Sequence, residues 1–247
     1  MLPLDHIPLT APDLEALAQA MRGLGFTVSP RGGYTSPETP DARWTNHSVF
    51  LRRGWFDLLH APGAPADAPV APGACLFLSS DIDAALESLA GFRTRPPYRL
   101  ERRWDEDLGL PPETFALFDI RERISPLGLA VISHHYPCHD VLPAWMEHAN
   151  TAVEVAGLVF GGAEPGAFAE RAAQHLDLSG LQYWSAERFE AGFGPMERQI
   201  AVRIRVASLE KAKAAAQAAA LKVVETGDGL HVTPPAPLAC GFEFFEA

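Results

Sequence analysis

Cysteine is scarce in this chain: three among 247 residues, Cys75, Cys138 and Cys240. An odd number at wide spacings fits neither a disulfide framework nor a paired-cysteine zinc site, and the three read as small core residues. No apolar run approaches the roughly 18 residues of a membrane span. The opening stretch Met1–Pro8 has no basic region leading into an apolar one. Basic side chains are outnumbered 20 to 31, a formal charge of −11, so the overall field opposes nucleic acid and anionic membranes. Also missing are a phosphate-binding glycine loop, a Gly-x-Ser-x-Gly elbow and a Cys/His nucleophile pair, which argues against a nucleotide cofactor. These absences lead to the expectation of a cytoplasmic protein whose partner is a small molecule, with no nucleic-acid or membrane partner and with homodimerisation left open.

What is present is a repeat. With 47% hydrophobic residues the chain has enough apolar side chains for a sizeable core. The first unit opens with strand Leu4–Thr10. Pro12-Asp13 then starts a helix carrying Leu14, Leu17, Met21 and Leu24 at helical spacing, and Gly25 ends it. Strands are expected at Phe26–Val28, His47–Arg52 and Trp55–His60, with a Gly/Pro-rich loop over residues 29–43. After the Pro/Ala stretch Ala61–Gly73 the order recurs: strand Ala74–Ser79, cap Asp81, helix Ile82–Leu89, then strands Tyr98–Arg103, Thr114–Ile120 and Leu129–His134. A third opening at Val153–Phe160 with helix Gly166–Leu176 is followed too closely by a fourth to be a full unit. The fourth runs Ile200–Val206, helix Ser208–Ala220, and strands Lys222–Glu225, Leu230–Thr233 and Phe242–Phe245.

The expected class is α+β: tandem βαβββ modules paired into open, curled mixed β-sheets with helices outside. A single unit leaves its concave face wet, and pairing makes a cup into which the first and last strands point. The expected division is residues 1–136 as the first pair, 137–150 as a connection broken by Pro137 and Pro143, and 151–247 as a degenerate second pair.

The segments Leu4-Asp5-His6-Ile7 with Pro12-Asp13-Leu14, Thr45-Asn46-His47, and Trp55-Phe56-Asp57-Leu58-Leu59 resemble the first module of glyoxalase-like proteins of the vicinal oxygen chelate superfamily (glyoxalase, bleomycin resistance and extradiol dioxygenase proteins). The resemblance implies a metal-binding His on the first strand and a carboxylate on the fourth, positions taken here by His6 and Asp57. It also implies a second pair of ligands from the second module, where the corresponding regions carry Cys75 and Val131 or Ile132. His134 or His135 could complete a site from the strand end, although neighbouring strand residues face opposite ways.

The candidate site residues are therefore His6, Asp57 and His134 for a divalent ion (Zn, Fe, Mn or Ni), and Asn46, His47, Trp55 and His135 for substrate. Each has a plainer reading: His6 as a hydrogen-bonded core residue, Asn46 and His47 as a solvated strand start, and His139, Asp140, His148 and Asn150 as caps on the connection. Asp57, between Phe56 and Leu58, needs a partner in any case: a metal, His6, or Arg52 or Arg53. Glu243 is expected to pair with Arg203 or Arg205. The implied activity is a metal-dependent lyase, isomerase or dioxygenase acting on a small oxygenated substrate. The alternative is a metal-free binding or resistance-type protein that uses the same cup and the aromatics Trp44, Phe50, Trp55 and Trp104.

Overall fold

The first module forms β1 (Leu4–Ala11), α1 (Leu14–Gly23), β2 (Gly32–Ser36), β3 (Thr39–Phe50) and β4 (Trp55–His60). The second forms β5 (Ala74–Leu78), α2 (Ile82–Ser88), β6 (Tyr98–Trp104), β7 (Glu113–Ile124) and β8 (Leu127–His134). This is a computed structural model that describes residues 1–246 except 38, 66, 125 and 135–140. The helices start where side chains supply the missing acceptors. Asp13 accepts from the Ala16 N–H, and Asp81 from those of Asp83 and Ala84. Gly25, at φ +86°, turns the chain out of α1.

In each module the first and fourth strands are parallel, β1 with β4 and β5 with β8. The two curled sheets then join antiparallel at both edges, β1 to β5 and β2 to β6, and close an eight-stranded barrel in the order β1-β4-β3-β2-β6-β7-β8-β5. Closure leaves no unpaired edge.

One strand lies elsewhere than the sequence suggests. Residues 26–28 form no strand; Phe26 instead enters the core, 3% exposed. The second strand is β2, inside the Gly/Pro-rich stretch expected to be a loop. Glycine here marks close strand approach rather than a turn: a Cβ on Gly32 would lie 2.9 Å from the Arg103 carbonyl oxygen across the β2–β6 pair.

The C-terminal part is one six-stranded sheet in the order β10-β9-β11-β14-β13-β12. Its strands are β9 (Ala152–Gly161), β10 (Leu181–Trp184), β11 (Ile200–Val206), β12 (Lys222–Glu225), β13 (Leu230–Thr233) and β14 (Gly241–Phe245), with helices α3 (Ala167–Ala172), α4 (Ala186–Phe193) and α5 (Leu209–Ala218). The βαβββ order returns in full from β11 to β14. Its shortened predecessor keeps β9 and α3, and adds β10 and α4 where the sequence suggested no elements.

Barrel and sheet share one apolar core. Phe56, on the outer face of β4, lies 6.2 Å ring to ring from Phe242 of β14, and Phe26 reaches Phe56, Phe242 and Phe244. Backbone bridges Leu2↔Leu176, Arg53↔Glu154 and Val70↔Leu238 tie the same two bodies together. His148 and Asn150 anchor the connection: the His148 ring bonds the Phe50 carbonyl and the Thr27 N–H, and Asn150 donates to the Leu24 carbonyl. A shared core should melt as one unit. Phe242→Ala is expected to cost about 3–5 kcal/mol, the usual loss for a buried Phe, and to lower a single cooperative transition in calorimetry. Two separate transitions in the wild type would contradict this.

Candidate functional site

Strand alternation sorts the barrel residues into an outer row against helices and sheet and an inner row around a cup of about 990 Å3. His6, Pro8 and Thr10 of β1, Trp55, Asp57 and Leu59 of β4, and Phe115, Leu117 and Asp119 of β7 point inward. Beyond one end of the cup, Phe50, Trp55 and Trp145 pack with Trp104 into an aromatic plug.

The floor is organised around a residue that alternation would turn outward. The β1–β5 pairing passes from Leu4↔Phe77 to His6↔Leu76, so two residues of β1 advance against one of β5. Asp5 is the extra residue of this bulge, and a bulge re-aims a side chain. Its carboxylate meets His6 Nδ1 at 2.6 Å, accepts from Trp55 Nε1 at 3.2 Å, and meets His134 Nε2 at 3.3 and 3.2 Å. Burial pushes its pKa up, but hydrogen bonds with His134 and His6 and the charges of both rings outweigh that and hold it well below the usual carboxylate range. An ionised Asp5 places the proton of neutral His6 on Nδ1 and leaves Nε2 as the lone-pair atom. Nε2 bonds to nothing among the described residues, and His6 lines the cup.

Asp57 has the opposite environment. It is 5% exposed, and burial raises its pKa despite nearby His6, a hydrogen bond from Asn46, the Arg102 charge and the Tyr34 hydroxyl. Asn46 Nδ2 donates to Asp57 Oδ1 at 2.8 Å. Behind them Arg102, 3% exposed, donates to Ser48 Oγ at 3.0 Å and pairs with buried Glu113. The Trp104 ring lies 4.6 Å from this guanidinium.

Several expected residues converge on the floor. His6, Asp57 and Trp55 line the cup, and Asn46 reaches it through its bond to Asp57. His134 comes to the same place but turns Nε2 to Asp5. His47 does not converge: on β3 it alternates with Asn46 and Ser48, so it faces outward and bonds the Ser29 carbonyl at 2.8 Å and Glu15 at 3.1 Å. Its expected place in the cup is corrected accordingly. His135, Cys138, His139 and Asp140 lie outside the described residues.

The second-module positions also need correction. His6 and Ala74 each stand seven residues before their helix-capping aspartates, Asp13 and Asp81. Pro8 and Leu76, each five before, pair with Asp57 and Ala130. The counterparts of His6 and Asp57 are thus Ala74 and Ala130, both lining the cup, whereas Cys75 and Val131 are buried in the outer core. Burial pushes the Cys75 and Cys240 thiols up to about 12, so neither supplies a thiolate.

This donor set does not fit the ion that the resemblance implies. Among the described residues no three His, Cys, Asp or Glu side chains form a group able to hold a metal. At the floor His6 Nε2 and Asp57 are two donors, fewer than the three protein ligands of a catalytic zinc site, and Asp119, elsewhere in the cup, is paired with Arg95. The guanidinium of Arg102 already supplies a fixed positive charge beside Asp57.

Asp5, Tyr34, Ser48, Arg102 and Glu113 were not anticipated. Arg102 had a signal, since Tyr98, Leu100 and Arg102 form one alternating row; its neighbours Glu101 and Arg103 disguise it as part of a solvated charged run. A bulge such as that at Asp5 leaves no comparable trace.

The glyoxalase-like domain family profile matches residues 4–176, and among curated proteins none matches. Among solved structures, a variant of Streptomyces coelicolor methylmalonyl-CoA epimerase in complex with 2-nitronate-propionyl-CoA is similar at 16% identity, with 54% of this chain and 95% of that one covered and a TM-score of 0.38. A variant of Streptomyces coelicolor 4-hydroxymandelate synthase is similar at 8% identity, with 99% and 92% covered and a TM-score of 0.41.

The two carboxyls should have opposite pH signatures. Asp57 has a raised folded-state pKa, so the folded protein holds the proton longer than the unfolded one and stability falls as pH rises between the two values. Asp57→Asn is therefore expected to raise Tm at pH 7, with the gain vanishing below the ordinary Asp value of about 3.9. Asp5 has a lowered folded-state pKa, so its contribution is full above the ordinary value and lost as pH falls below it. Asp5→Asn is expected to cost about 2 kcal/mol at pH 7, as for lost charged hydrogen bonds, and less on acidification. Melting curves from pH 3 to 8 check both signs.

Proposed function

The chain belongs to the glyoxalase-like domain family, and from that premise we propose that it is an enzyme that moves a proton at the carbon next to the carbonyl of a small oxygenated substrate, an isomerase-type reaction. The observation that carries this reading is the pairing, on one cup floor, of a histidine with an oriented free Nε2 and a carboxyl pushed toward its protonated form. Two titratable groups whose surroundings differ in this way suit opposite roles.

His6 Nε2 takes the proton from the carbon, and the electron pair of the broken C–H bond passes to the carbonyl oxygen. Asp57, in its protonated form, donates to that oxygen as it becomes an enolate. The imidazolium formed on His6 is stabilised through Nδ1–H by ionised Asp5. Returning its proton to the same carbon, with Asp57 taking back the proton it gave, amounts to exchange; returning it to the former carbonyl carbon, while Asp57 takes the proton of the neighbouring hydroxyl as that oxygen becomes the new carbonyl, completes the isomerisation and restores both groups. Asn46 and Tyr34 hold Asp57 in place, and the aromatic plug keeps water from the floor. No step is routed through a metal, because the described donors do not make a site for one.

The reading is tested by hydrogen–deuterium exchange in D2O, followed by NMR on dihydroxyacetone and α-hydroxyacetophenone. The wild type is expected to accelerate loss of the C–H signal, and His6→Gln to slow it about 10²- to 10⁴-fold, the usual worth of a general base. Asp5→Asn should shift the pH profile of exchange, because it releases the His6 tautomer. Binding of these compounds by the wild type without any exchange would refute the enzyme and leave a binding protein using the same cup.

A further inference from the structure

We infer that the mouth of this cup selects a ligand with an anionic end, so that the molecule taken up is an amphiphile with an apolar middle and a terminal carboxylate or phosphate. This rests on the cup being the substrate site, as proposed above, and adds what the substrate must look like at its far end.

The inner row of β7 reads Phe115, Leu117, Asp119, Arg121, Arg123. Alternation places Phe115, Leu117 and Asp119 along one line from the floor, and Arg121 and Arg123, within the irregularity that follows Ile120, line the cup beyond them. Phe115 stands beside His134 at the floor, in register with it and 5.1 Å from its ring. Arg121 lies six residues further, about 20 Å along an extended strand. Between them, apart from Asp119, the wall is apolar: Leu117, with Leu76, Leu100, Ala130 and Ile132 from neighbouring strands. At the rim Arg95 joins Arg121 and Arg123.

The charges at the rim do not cancel. Asp119 pairs with Arg95 at 3.5 Å, and Glu122, on the outer row, pairs with Arg93. Arg123 donates to the Pro126 carbonyl at 3.4 Å. Arg121 and Arg123 have no carboxylate partner among the described residues. In a chain of net charge −11, two uncompensated guanidiniums on the opening of the cup form a local positive focus against the overall field. Guanidinium forks suit carboxylate and phosphate oxygens, and the β7 irregularity between Ile120 and Arg123 bends the strand where those side chains project. A small substrate held at the floor alone would leave this volume unfilled. A ligand with an apolar segment and an anionic terminus uses both.

The test uses probes that lack an oxygenated head, so that they report the mouth and not the chemistry. Octanoate, octyl phosphate and octanol are titrated at low salt, with tryptophan fluorescence as the readout because Trp44 and Trp55 line the cup. At least one anion should bind about tenfold tighter than octanol. That lead should shrink to within about twofold in the Arg121→Gln/Arg123→Gln double variant, whose circular dichroism and Tm should match the wild type because both side chains are exposed. A lead for octanoate identifies a carboxylate terminus, and a lead for octyl phosphate a phosphate one. Equal binding of octanol and both anions by the wild type, or an anion preference that survives the double substitution, overturns the inference. The outcomes separate from those of the exchange experiment: exchange without anion preference keeps the enzyme and removes the anionic end, and anion preference without exchange does the reverse.

Discussion

The arrangement of the floor depends on keeping one carboxylate ionised inside the barrel. Asp5 faces donors from three strands, His6 on β1, Trp55 on β4 and His134 at the end of β8. A buried carboxylate without partners would lose several kcal/mol of solvation. The three strands must therefore approach with their side chains aimed at one point, and the bulge in β1 allows this. The strands that meet there, β4, β1, β5 and β8, are consecutive in the barrel order, so the same contact secures the seam between the two modules. The orientation of His6 follows, since a ring whose Nδ1 is committed to Asp5 and whose face rests 4.1 Å from Trp55 has one free nitrogen and one direction for it.

The second consequence is asymmetry. Duplicated modules would place equivalent groups on both walls, yet only the first carries ionisable side chains at the paired positions, His6 and Asp57 against Ala74 and Ala130. The second module contributes to the polar floor from a different strand, through Arg102 and Glu113. Its charge lies behind Asp57 rather than across from it. At these paired positions the cup thus has ionisable groups on one wall and methyl groups on the other, and the charged side chains of the second wall, Arg95, Asp119, Arg121 and Arg123, come from other positions.

Much of this was legible in the amino-acid order, for identifiable reasons. Period-2 and helical patterns located β4, β11, β12 and β13 to the residue, because apolar runs there end at turns and caps. The glyoxalase-like resemblance rested on the order of short segments, two of which carry His6 and Asp57, and both of these residues line the cup. The placement of His47 was not legible, because it depends on the phase of β3: one residue of register exchanges the cup for the outer face. β2 was hidden by Gly32 and Gly33, whose small size serves strand packing and reads as a loop. The floor network was hidden because its charges come from runs such as Glu101-Arg102-Arg103 that look solvated, and because its partners lie in different modules.

The C-terminal sheet bears on the site through β4. Phe56 and Leu58 flank Asp57 in sequence and point away from the cup, into the core that Phe242 helps to fill. That packing fixes the backbone on both sides of Asp57, and a carboxyl kept from solvation by its surroundings depends on that backbone staying put. Within the sheet the ionisable group at the closing-strand position, Glu243, is committed to Arg203 at 2.6 Å, which satisfies it locally. The shortened module beside it brings β10 and α4 to the far edge of the sheet rather than closing a second barrel. On these grounds the sheet of residues 151–246 buttresses the barrel: among the described residues it stays open rather than closing a second barrel, and it packs against the strand on which the cup depends.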